Sequence, residues 1–203
     1  MKNKTTLITS VMGTIAGIAG IEHGVGEILQ GNVRADGLVF TSWPDSQMFA
    51  NMAGEPAMSL IPNMLISGIF SILISLIFIF WSIKRTHHKY YGAGFLGLSV
   101  VLLLVGGGFG PPMLGIILGL ATIFSHRNRE KRMISPFIKQ FGASWKILFS
   151  ITLACWLFLF PVFPILSAIF TIHNETIMAI VTPAAFLFLA LSYFSAGAWD
   201  HSN

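Results

Sequence analysis

The stretch GTIAGIAGIEHGVGEILQG, residues 13–31, decides the fold. It is apolar enough for a bilayer-crossing helix, yet it holds Glu22, His23 and Glu27. Each residue of an α-helix advances about 100°, so Gly13, Gly17, Gly20, Gly24 and Gly31 fall on one narrow face. His23, Glu27 and Gln30 form a polar stripe on the flank of that face, and Glu22 points to the opposite side. A glycine face lets a neighbouring helix approach closely, and ionisable groups in a bilayer face a bundle interior or a watery cavity. The stretch therefore predicts one span of a multi-span membrane protein with a polar site inside it.

Composition supports the same class. The chain of 203 residues is 54% hydrophobic and only 10% charged, with mean hydropathy +0.76; soluble proteins are roughly half apolar and about one-quarter charged. The length suits a single polytopic domain over residues 1–203, with no room for a soluble domain. The net charge of +4 sits in short basic segments between apolar runs, which points to orientation and anionic lipid headgroups rather than to nucleic acid. Cys155 is the one cysteine, which excludes an intramolecular disulfide and a CxxC metal knuckle. Lys2 and Lys4 before the apolar run, with the small residues Ala16 and Ala19 inside it, imitate a signal peptide. The apolar character continues through residues 21–29 and fits a retained span better.

Outward from the first span, expected over residues 7–29, residues 30–55 are rich in turn formers. Within them Pro44 and Asp45 open a short surface helix reaching Asn51, with Met48, Phe49 and Met52 on its apolar side. Span 2 is expected from Pro56, a residue favoured at helix starts, to Ile83, with Ser59, Asn63, Ser67, Ser71 and Ser75 at four-residue spacing facing a neighbouring helix. The apolar run over residues 91–124 would extend ~50 Å as one helix, beyond a ~30 Å hydrocarbon core. It is interrupted by Gly106, Gly107, Gly108, Gly110, Pro111 and Pro112, so it divides into spans 3 and 4 joined by a tight Gly/Pro turn.

Spans 5 and 6 follow over residues 147–170 and 176–196, after a weakly amphipathic surface segment over 137–145, with an outer turn at His173, Asn174 and Glu175. The basic loops at 84–89 and 125–146 both belong on the cytoplasmic side, which requires an even number of crossings between them. The expectation is an all-α integral membrane protein, a compact bundle of about six transmembrane helices with both termini cytoplasmic. The alternation of long and short loops matches an inverted three-plus-three arrangement, a common transporter plan, although no residues match between the halves.

His23 and Glu27, four positions apart, lie side by side on a helix, a pair able to share a proton, bind a cation, or act as acid and base. Asn63 is a candidate second wall, and Glu22 and Glu55 are further candidates for substrate or ion binding. Metal ligation by His23, Glu27 and a third group, Glu55 or His173, is conceivable, although HExxH is lacking. Each has a plainer role: Glu55 neutralising the start of span 2, Asn63 bonding between helices, and His87 and His88 solvated in their basic loop. The irregular positions Pro62, Pro161, Pro164 and Pro183 fall at similar depth, which predicts a cavity open to the outer side. The favoured reading is a transporter or channel-like carrier in the cell membrane with a proton- or cation-linked His/Glu site in helix 1. The alternatives are an enzyme acting on a lipid or small apolar substrate at the outer leaflet, and a non-catalytic assembly partner docking or self-associating through its glycine faces.

Overall fold

The computed structural model describes residues 3–127, 136–170 and 175–202. The chain divides into two compact units, Met1–Ile8 with Phe124–Asn203, and Thr9–Ile123. Among the described residues four helices are long and apolar enough to cross a membrane: Lys4–Gln30, Met64–Lys84, the broken helix Trp145–Phe170, and Thr176–Ser202. The protein is thus a mainly helical membrane protein. The outer turn expected at His173 and Asn174 and the basic residues Arg129, Lys131 and Arg132 lie outside the described residues.

In the unit Thr9–Ile123, helix α1 (Lys4–Gln30) leads to a small hairpin of strands β1 (Val39–Thr41) and β2 (Pro56–Met58). The strands pair antiparallel with Phe40 opposite Ala57. Helices α2 (Met64–Lys84), α3 (Tyr91–Leu104) and α4 (Gly110–Arg127) follow. The expected start of span 2 is corrected: Pro56 opens β2, and α2 begins eight positions later at Met64. Proline suits either place, because its fixed φ and missing N–H also fit the first residue of an edge strand. The helix signal comes instead from Asn63, whose side chain accepts from the Ile66 amide at 3.0 Å and caps α2.

The glycine face of α1 packs on the serine stripe of α2. A side chain at Gly13 would strike Ser82, one at Gly17 would strike Ile79, and one at Gly20 would strike Ser75. Ser71 donates to the Gly20 carbonyl at 3.0 Å. At Gly24 and Gly68 backbone meets backbone, and a Cβ on either would press into the carbonyl oxygen of the other. Gly92 on α3 and Gly119 on α4 repeat this relation. Small residues at such crossings bring backbones close enough for dispersion contacts to hold helices together where lipid supplies no hydrophobic drive.

The hairpin is tied down along the β2 side. The Ser59 amide extends the ladder by donating to Leu38, while the Leu60 amide donates to Leu104 and the Gly106 amide to Met58, which fastens the chain just after α3 to β2 through an isolated bridge between Ser59 and Val105. The surface helix expected at 45–51 is a short 3-10 helix, Gln47–Met52, with Phe49 buried and stacked on Trp43 at 5.1 Å.

The unit holding the C-terminal part contains α5 (Pro136–Ala143), α6 (Trp145–Leu157), α7 (Phe163–Phe170) and α8 (Glu175–Ser202). Between α6 and α7 the backbone leaves helical geometry at Phe160, before Pro161, where proline removes a ladder bond. The expectation of α5 as a surface segment misses its packing: Ser195 of α8 donates to the Phe141 carbonyl at 2.6 Å. The Asp200 carboxylate accepts from the amides of Lys4 and Thr5 at 2.8 and 3.0 Å, capping the start of α1.

Candidate functional site

His23 is the centre. It sits two turns before the end of α1 and is only 5% exposed. Its Nδ1 lies 3.1 Å from Ser42 Oγ, and its Nε2 lies 3.3 Å from Glu55 Oε2. Both partners come from the hairpin. Its ladder continues past the strands, with the Ser42 amide donating to the Glu55 carbonyl and the Trp43 amide to the Gly54 carbonyl. Residues opposed across a ladder present side chains to one face, so Ser42 and Glu55 arrive at the imidazole together.

The turn that delivers Glu55 is strained. Ala53, Gly54 and Glu55 have φ of +51°, +70° and +55°, and left-handed conformations of non-glycine residues cost about 1–3 kcal/mol each. That cost is tolerated where surrounding contacts over-determine the conformation, which happens most often at binding and catalytic sites.

Glu22 completes the cluster. One donor atom from each of Glu22, His23 and Glu55 lies within 4.8 Å of the others. The sequence expectation that Glu22 faces away is corrected. The angle that separates Glu22 from Glu27 leaves it only about 100° from its neighbour His23, and Glu55 reaches into that sector from the hairpin. The Glu22 carboxyl, with both oxygens buried, lies beside the Glu55 carboxyl and the Trp43 indole N–H.

Glu27 is fully buried, at 0% exposure, one turn further along α1. No hydrogen bond or ion pair joins it to His23 among the described residues. Its carboxylate packs against Gly106 and Ser67, while His23 packs against Gly108. Gly106 and Gly108 have φ of +99° and +72°, and a Cβ at either would collide with the acid or the imidazole. The Ser67 hydroxyl donates to the Val105 carbonyl at 3.0 Å, and both Glu27 oxygens are without a hydrogen-bond partner among the described residues.

The other candidates lie elsewhere. Asn63 is half-buried and donates to Asn32 Oδ1 at 2.7 Å, and it is not one of the residues grouped around His23. Glu55 is no helix-start counter-charge, since α2 begins at Met64. His88 packs against Trp81 and Tyr90. A depression of about 500 Å³ is lined by Arg34, Asp36, Ser59, Leu60 and Pro62, on the segments that flank the hairpin. Ser42 and Trp43 carry no sequence signal of a site role, because only the hairpin register brings them to His23.

Comparison with protein families, with curated proteins and with solved structures finds no match.

Proposed function

We propose that the chain is a small multi-span carrier or channel-like transporter of the cell membrane, linked to protons or another cation through the acidic groups and imidazole of α1. The observation that supports this reading is the cluster of half-buried Glu22 with buried His23 and Glu55, with buried Glu27 one turn further along the same membrane-length helix. Among the described residues no Lys or Arg forms an ion pair with any of them. Anionic groups in a low-dielectric interior need a compensating positive charge or a proton, and a compensating charge able to come and go is what a coupled carrier requires. Glu27 takes the role of the exchanging acid toward the end of α1, and the hairpin closes the compartment over His23.

The test is ion flux in liposomes containing the purified chain, read with entrapped pH-sensitive and metal-sensitive dyes. Flux abolished by Glu27→Gln, with the variant still monodisperse and helical, is the expected result. Flux equal to wild type in Glu27→Gln, or none in wild type, overturns the carrier reading. A lipid product formed only when His23 is intact would transfer the same groups to an enzyme.

A further inference from the structure

We infer that Glu22, His23 and Glu55 form a binding site for one divalent first-row transition-metal ion, with Ser42 holding the imidazole in the ligating tautomer. The inference rests on the cation-linked reading of the cluster and names its ligand class.

Geometry carries the argument first. Two ligands about 2.0–2.2 Å from a tetrahedral ion stand about 3.3–3.6 Å apart. His23 Nε2 and Glu55 Oε2 are separated by 3.3 Å. Glu22 offers the third donor within 4.8 Å of both, so a shift of about 1 Å in a flexible carboxylate brings it to ligand distance. Three protein donors leave a fourth position for water or another small ligand.

The second argument is the proton count. When Nδ1–H donates to Ser42 Oγ, the arrangement that fixes most metal-bound histidines, the Nε2 lone pair points at the Glu55 carboxylate. In that tautomer a cation between Nε2 and the carboxylate relieves the repulsion of lone pair and oxygen. With both acids ionised beside a neutral imidazole the cluster carries two negative charges, which one divalent ion balances. The buried oxygens of Glu22 and Glu55 are then ligand atoms.

The donor set selects the ion. One imidazole nitrogen with two carboxylates and no thiolate suits zinc, manganese or ferrous iron. Magnesium and calcium prefer all-oxygen shells.

The experiment uses the full chain in detergent, stripped with chelator and titrated with Zn²⁺ and with Mn²⁺. Bound metal is counted by elemental analysis after desalting, and Trp43 emission is followed against a Trp43→Phe control. The expected result is one ion per chain at micromolar concentration. Affinity should fall more than about 100-fold in His23→Ala and in Glu55→Gln, and be unchanged in a His87→Ala, His88→Ala double variant. Glu55→Gln keeps the side-chain shape, so it decides the matter if His23→Ala does not fold. Failure of the stripped wild type to bind either ion, or equal binding in Glu55→Gln, overturns the site. Metal binding without flux leaves the site standing and removes the carrier; proton flux without metal binding does the reverse.

Discussion

Ser42 and Glu55 stand opposite each other on the hairpin ladder, joined by a 3.0 Å backbone hydrogen bond, and close on the two ring nitrogens of His23. Ser42 takes Nδ1 at 3.1 Å and Glu55 takes Nε2 at 3.3 Å. The imidazole is therefore oriented by one rigid element outside α1, and its rotation about χ2 is blocked from both ends.

That clamp makes Ser42→Ala informative. The variant removes the Nδ1 partner and leaves all three proposed ligands, so zinc affinity should fall about 10- to 100-fold, the usual penalty for losing an outer-shell partner. Isothermal titration of the stripped protein measures it. Unchanged affinity would mean that packing alone orients His23.

Gly108→Ala should be damaging for two additive reasons. At φ +72° an L side chain is strained, by roughly 1–2 kcal/mol, and its Cβ would overlap the His23 ring. The expected outcome is a lower Tm together with weaker metal binding. Gly97→Ala is the matched control: a Cβ there meets nothing within 4 Å, and alanine is the better helix former, so Tm should hold or rise.

Gly68→Val tests the α1/α2 crossing. Its side chain has only the Gly24 carbonyl and Ile28 to move into, and overpacking of this kind typically costs about 1–3 kcal/mol. Denaturant unfolding in detergent should register the loss, and Gly92→Val should produce one of similar size at the α3/α4 crossing.

The two caps separate stability from function. Asp200→Ala removes three hydrogen bonds to the start of α1, and Asn63→Ala removes the cap of α2; each should cost about 1 kcal/mol of stability. Asn63→Ala should leave the zinc titration untouched. A weakened titration would restore Asn63 to the site.

Helix content and the inner face of α1 were legible in the sequence because both are local. A period of about 3.6 residues places Gly13, Gly17, Gly20 and Gly24 together whatever surrounds them, and Ser71 and Ser75 answer to them on α2. The presence of Glu22, His23 and Glu27 in an apolar run was equally plain. Their grouping was not, because a helical wheel ranks residues around one axis and says nothing about which outside group enters between them. Glu55 reaches His23 through three consecutive positive φ angles and a ladder whose strands are three residues long. Neither has a hydrophobic period to read. Pro56 misled for a related reason: its fixed φ suits a helix start and an edge strand alike, and the choice is made by Thr41, its partner across the hairpin.

The hairpin also bears on the order in which the protein is made. As α1 leaves the ribosome it carries Glu22 and His23 toward the bilayer before any of their partners exist. Ser42 follows His23 by 19 positions, and Glu55 comes later still, yet both precede the first residue of α2. The groups that shield the imidazole are thus synthesised immediately behind it, before the next span is available for packing. The first helix and its hairpin form a nascent unit that brings both ring-nitrogen partners to His23 early, whereas the packing of Glu27 against Ser67 and Gly106 waits for the spans that follow.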